Sequence, residues 1–187
     1  MQEEQQLIDA VLGGNRQAFG ALVTRYKRLV GHIVFRMVKD QQDREEIAQD
    51  VFIKVYQKLS TFKGQSKLGT WIGSIAHFAC LDYLKKRRLP LTDISEGALE
   101  IPDAARQQPD ALTEAGQRAA FLKAQIALLP PHYGTVLSLF HLEEMEVKEI
   151  AETLDMPEGT VKNYLFRARK ILKSNLLKQV KKEEIWN

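Results

Sequence analysis

Lys162, Asn163, Phe166, Arg167, Arg169, Lys170 and Lys173 lie within twelve residues near the end of the chain. Their types suit a DNA major groove. Arg and Lys donate to guanine O6 and N7, Asn pairs with adenine N6 and N7, and Phe can touch a thymine methyl. Arg169, Lys170 and Lys173 fit phosphate contacts, which position a protein rather than specify sequence. Apolar residues alongside must hold them. Ile150, Ala151 and Leu154 repeat at helical spacing, and so do Val161, Leu165, Ala168 and Leu172. Between the two runs, Asp155-Met156-Pro157-Glu158-Gly159 stops one helix and starts the next. The layout is that of a helix-turn-helix. The plainer alternative is a helical hairpin with a solvated basic face.

Charge along the chain points the same way. The net charge is only +3. Yet Lys63 to Arg88 holds six basic residues and Asp82, for +5, and Glu158 to Lys182 holds eight basic residues and Glu158, for +7. Between them, Leu89 to Arg118 carries −4 (six acids, two bases), and Glu143 to Asp155 carries −5 (six acids and Lys148). Two basic islands separated by acidic segments suggest two polyanion contacts.

Other classes of function are poorly served. The 187 residues, 44% of them hydrophobic, suffice for one or two small domains. No apolar run reaches the ~18 residues of a membrane span, and the start, MQEEQQLIDA, lacks the features of a secretory signal. Cys80 is the single cysteine, which fits a reduced, cytoplasmic setting. His32, His77, His132 and His141 are scattered, and His77-x-x-Cys80 offers too few ligands for a structural zinc. Asp43, Glu45 and Glu46 cluster where a helix begins. There is no phosphate-binding glycine loop and no nucleophile motif. No metal, no cofactor and no catalysis by the chain itself are expected.

The spacing predicts an all-α chain. A first helix, Glu3 to Leu12, ends at Gly13-Gly14. Asn15 caps a second, which reaches about Val38 on a stripe from Phe19 to Met37. Asp43 is expected to cap a third, to Leu59, with Glu46 as its capping-box partner. Thr70 is expected to cap a fourth, to about Lys86, after a loop over 60–69. Leu89 to Asp110 contains Pro90, Pro102 and Pro109 and reads as a flexible linker, or as an acidic segment docked in a basic groove. Asp110 then caps a helix to Leu129. Pro130-Pro131 opens another before the helix-turn-helix, whose last helix continues to about Lys182.

In this order the pieces resemble an extracytoplasmic-function (group IV) sigma factor of bacterial RNA polymerase, in the sigma-70 family. The resemblance is carried by Ala18-Phe19-x-x-Leu22-Val23-x-Arg25-Tyr26, Glu46 through Tyr56, Phe62-Lys63-Gly64-x-Ser66 and Thr70-Trp71-Ile72-x-x-Ile75-Ala76. In the second half it is carried by Leu129-Pro130, Glu149-Ile150-Ala151, Gly159-Thr160-Val161-Lys162 and Arg167-Ala168-Arg169. It implies a region 2 helical bundle at 1–88, a linker at 89–110 and a region 4 helix-turn-helix at 111–187.

The resemblance also implies partners. Glu46, Gln49, Asp50, Phe52, Ile53 and Tyr56 would dock on the clamp helices of the large subunit of core RNA polymerase. Lys63, Ser66, Lys67, Trp71, Ser74, His77, Phe78 and Lys85 would read the −10 promoter element. Lys162, Asn163, Phe166, Arg167, Arg169, Lys170 and Lys173 would read −35. An anti-sigma protein is an implied partner, and the free chain would be a monomer without membrane insertion. Trp71 reads more naturally as a core residue than as a base-stacking one. Phe78 departs from the family, which commonly has asparagine there to hold a flipped base. Phe78 can stack on a base but cannot make those hydrogen bonds. Two other readings compete: a dimeric two-domain transcription regulator on palindromic sites, and a helical interaction protein that never touches DNA.

Overall fold

A computed structural model describes residues 2–88, 121–122, 124–126 and 128–186. Among them every regular element is helical. Helix α1 spans Gln2–Leu12 and packs on the core through Ile8 and Val11. Gly14, at φ 82°, turns the chain into α2, Arg16–Met37. Asn15 caps α2 as expected, its side chain accepting from the amides of Gln17 and Ala18 at 2.9 and 3.1 Å. One face of α2 buries Leu22, Tyr26, Leu29, Val30, Ile33 and Val34.

Helix α3 spans Gln41–Lys58, so the expected cap at Asp43 is wrong. Asp40, in extended backbone, is the cap and accepts from the Asp43 amide at 3.1 Å. Asp43 already lies in the first turn. Its carboxylate accepts from the Tyr83 hydroxyl and stands 3.5 Å from Arg87, tying α3 to the fourth helix. The corner from α2 to α3 is closed by Arg44, a buried cation the sequence reading passed over. Arg44 donates to the Val38 carbonyl at 2.7 Å and stacks 4.7 Å above Phe35. Ile47, Val51, Val55 and Leu59 face inward as the spacing required. A 3₁₀ turn, Leu59–Thr61, leads into the loop.

Helix α4 spans Leu68–Arg88 and starts two residues before Thr70. Thr70 is therefore a buried first-turn residue rather than a cap. Leu68, Ile72, Ala76, Ala79 and Cys80 are buried. Burial pushes the Cys80 thiol up to about 12, so it is an inert core residue.

The expected linker at 89–110, and the Asp110 cap, lie outside the described residues. Residues 121–122 and 124–126 are helical, and Ile126 and Leu129 are buried. Helix α5 spans Pro131–His141 with proline in its first turn. Helix α6 spans Val147–Leu154. It begins with a capping box that the sequence reading missed, in which the Glu146 amide donates to Glu149 at 2.9 Å. Asp155 ends it in a left-handed conformation, φ 50°. Helix α7, Glu158–Trp186, buries Val161, Leu165 and Ala168. One apolar cluster runs through both halves of the chain: α2 packs on α3, α4 and α5, α4 packs on α6, and α5 packs on α7.

Ile72 is fully buried where α4 meets that cluster. Ile72→Ala should cost about 2–5 kcal/mol. The urea midpoint should fall while the slope of the transition stays constant.

Candidate nucleic-acid interface

The outer face of α7 is built as the spacing predicted. With Val161, Leu165 and Ala168 inward, Lys162, Asn163, Phe166, Arg167, Arg169, Lys170 and Lys173 are all exposed. Phe166 is 68% exposed, a large cost for an aromatic ring unless another surface covers it. Lys162 stands 3.7 Å from Glu158, one turn back, so Glu158 is partly neutralised. Two of the arginines lean on α5. Arg167 donates to the Tyr133 hydroxyl at 3.4 Å, and Tyr133 meets Tyr164 edge-on at 5.3 Å. Arg169 lies 3.4 Å from His141 and 5.3 Å over the Phe140 ring. Tyr133, Phe140 and His141 were not foreseen from sequence. They stand on another helix, and only the fold brings them to the arginines.

The residues assigned to −10 divide into three groups. Lys63, Phe78 and Lys85 are exposed, Phe78 at 47%. Trp71 packs on Phe62, ring centroids 5.3 Å apart, and is half-buried, in keeping with its reading as a core residue. Ser66 is also half-buried. The others face the second half of the molecule. Lys67 pairs with Glu149 of α6 at 2.7 Å. The Ser74 hydroxyl bonds the Thr70 carbonyl at 3.0 Å and reaches the Glu152 carbonyl at 3.5 Å. His77 has a buried, unpartnered Nδ1. Burial lowers its pKa, against the pull of Asp155. The acidic helix α6 thus lies along one side of α4.

This seam between the halves is closely fitted. A Cβ on Gly73 would lie 2.8 Å from Thr153 Cγ2, and one on Gly134 would lie 2.9 Å from Arg36 Nη1. Arg36 in turn donates to the Ile126 carbonyl at 2.8 Å. Glu143 receives Arg28 at 2.9 Å and His32 Nδ1 at 2.8 Å. Burial alone would raise the Glu143 carboxyl, but His32 and Arg28 outweigh it and hold the group below its ordinary range. Glu149 behaves likewise: burial raises it, while Lys67 and the Glu146 amide lower it further. The acidic run from Glu143 to Asp155 is therefore not a solvated face alone. Isolated glycines inside two helices were the available signal of close approach.

On α3, Glu46, Gln49 and Asp50 are exposed beside Phe52, which is half-buried. Ile53 and Tyr56 are 53% and 51% exposed. Tyr56 is held edge-on by Phe19 at 5.0 Å. Exposed apolar anchors around fixed polar groups have the make-up of an interface centre. Among the described residues no group of His, Cys, Asp and Glu could hold a metal.

Comparison with known proteins decides the family. Sigma-70 region 2 matches residues 22–89, and Sigma-70, region 4 matches residues 117–172. The RNA polymerase sigma-H factor of Pseudomonas aeruginosa is 31% identical over 180 residues, covering 91% of this chain and 92% of its own. The chain belongs to the extracytoplasmic-function sigma factors of the sigma-70 family. The ECF RNA polymerase sigma-E factor of Escherichia coli K12 is 33% identical over 181 residues, covering 90% of this chain and 92% of its own. Two solved structures share the fold. CnrH, in complex with the cytosolic domain of CnrY, has a TM-score of 0.62 at 22% identity over 92% of this chain and 96% of that one. The sigma factor RpoE of Bartonella quintana, in complex with the anti-sigma factor NepR, has 0.60 at 16% identity over 84% and 96%.

The geometry of this family member makes two predictions. If Arg167 reads a base, Arg167→Ala should cost about 1–3 kcal/mol on a matched −35 duplex and far less on a mismatched one, whereas an equal loss on every duplex, as expected of Lys173→Ala with a salt slope reduced by about 1, marks a phosphate contact. Fluorescence anisotropy across salt concentrations separates the two. The second concerns pH. Glu143 and Glu149 hold protons less tightly when the halves are packed, so packing is favoured above their ordinary value of 4.5 and weakens as pH falls through the depressed values. The radius of gyration in small-angle scattering should rise on acidification in that window.

Proposed function

We propose that this sigma factor is the promoter-specificity subunit of a bacterial RNA polymerase. It docks on the clamp helices of the large core subunit with Glu46, Gln49, Asp50, Phe52, Ile53 and Tyr56 of α3. It engages the −35 duplex with the outer face of α7. It receives the −10 strand on the loop before α4 and on α4 itself, with Lys63, Lys67 and Lys85 for phosphates and Phe78 as a stacking surface. Trp71 supports that surface from the core side. The working units are 1–88, 89–110 and 111–187. The observation that carries the reading is the exposed Lys162, Asn163, Phe166 and Arg167 on a helix that buries Val161, Leu165 and Ala168 on its other side, in a chain of this family.

The chain does no chemistry of its own in this reading. The polymerase makes the bonds, and the subunit supplies position and binding energy, in the cytoplasm where the polymerase works. No described helix is long and apolar enough to cross a membrane. An anti-sigma protein is a further proposed partner, since the two solved relatives are held by proteins of that kind or bound to a named cytosolic domain.

Core polymerase should co-elute with the protein on gel filtration, and the complex should start transcripts from cognate promoters selected from a random library. Asp50→Arg should abolish co-elution while leaving the helical signal in circular dichroism intact. A free protein that dimerises and shifts duplex DNA, with no binding to core polymerase, would overturn the assignment.

A further inference from the structure

Arg167 is steadied from another helix. Its Nη1 donates to the Tyr133 hydroxyl of α5 at 3.4 Å, across 34 residues of sequence. The arginine is otherwise exposed on the outer face of α7. A long exposed arginine carries much rotamer entropy, and a base contact must freeze it. A partner that holds the side chain beforehand moves part of that cost from binding to folding.

Tyr133 is itself fixed. It is half-buried in the first turn of α5, which Pro131 begins. Its ring meets Tyr164 edge-on, with centroids 5.3 Å apart and planes at 86°. His132 closes the cluster, 4.1 Å from Tyr133 and 5.1 Å from Tyr164. Tyr164 lies one turn before Arg167 on α7 and packs against the core. The phenol oxygen therefore has a set place relative to the outer face of α7. Every member of the cluster belongs to α5 or α7, so it stays with the recognition helix.

The chemistry of the support matters as much as its position. Lys162 stands 3.7 Å from the Glu158 carboxylate, which competes with DNA for its charge. A neutral hydroxyl orients a guanidinium without competing in that way. It accepts one N–H and leaves the rest of the fork free for guanine O6 and N7.

We propose that Tyr133 is a positioning residue for base recognition: it holds the Arg167 guanidinium in its reading pose and so sharpens discrimination at the base pair Arg167 meets, without touching DNA itself. The proposal rests on the reading of α7 as the −35 contact. Tyr133 would then set specificity from outside the recognition helix.

The test uses the full chain bound to core polymerase, as wild type, Tyr133→Phe, Arg167→Ala and the double variant. Tyr133→Phe keeps the ring in its cluster and removes only the acceptor. Competition binding is measured on a selected promoter and on single-base changes across its −35 element. A further duplex carries 7-deazaguanine at the guanine whose replacement matters to Arg167. That base still pairs but lacks the N7 acceptor. Partial unfolding would weaken every duplex alike, so it cannot imitate a base-selective loss.

Tyr133→Phe should weaken binding to the selected promoter about three- to tenfold. It should leave duplexes altered at that guanine, the 7-deaza form included, nearly unaffected. In the Arg167→Ala background it should have no further effect, because the hydroxyl then has nothing to position. An equal loss on every duplex, a loss that persists without Arg167, or no loss at all would overturn the positioning role. If Arg167→Ala is itself indifferent to the base, the reading of Arg167 at −35 falls, and Tyr133 with it. If Arg167→Ala is base-selective while Tyr133→Phe is silent, only the positioning role falls.

Discussion

The carboxylate of Glu143 accepts from Arg28 and lies 2.8 Å from His32 Nδ1, and the seam between the two halves is built around it. Glu143 sits between α5 and α6. Fixing it lays α6 along α4 and α5 along α2, with Gly73 and Gly134 giving room at the two crossings. The charged contacts orient the seam more than they stabilise it. The side chains of Arg28 and Lys67 are 69% and 67% exposed, and pairs of that kind contribute roughly 0.2–1 kcal/mol. Most of the hold comes from apolar surface removed from water where the halves meet.

That hold is offset from within. Thr153 Oγ1 and His77 Nδ1 are buried without a partner. Each unsatisfied polar atom costs on the order of 1–3 kcal/mol, about as much as a surface ion pair gives back or more. Both atoms would regain water if α6 lifted away from α4. A seam with good shape, screened charges and unpaired polar atoms is one that a binding partner can open. Polymerase and promoter together would do so by binding only the extended form, since a ligand shifts an equilibrium by its differential affinity. Deeper in the first half, Ile33, Val51, Ile72 and Ala76 are buried within the apolar cluster.

Much of this was legible in the sequence. Periodicity gave the inward faces of α2, α3 and α7, and Asn15 and the turn at 155–159 gave real boundaries, because these are properties of neighbours in the chain. The boundaries that failed show the limit. Asp43 and Thr70 have good capping chemistry, but Asp40 and Leu68 come first, and the carboxylate of Asp43 is used in tertiary contacts with Tyr83 and Arg87 rather than in a cap. Nothing in the local sequence marks Arg44 and Arg36 as structural, since their carbonyl partners lie 6 and 90 residues away in sequence. The site was read in two separate parts. That one part lies against the other could not be read, because an acidic run looks the same whether it faces water or a basic helix.

The two proposed promoter contacts lie on halves that pack together in the free chain and must stand apart on a promoter. Distance between labels at Thr24→Cys in α2 and Ser174→Cys in α7, in a Cys80→Ala background, measures this directly. One short distance is expected in the free protein and a longer one, by several tens of ångströms, once core polymerase and promoter DNA are bound. An unchanged distance in a complex that still initiates transcription would contradict it.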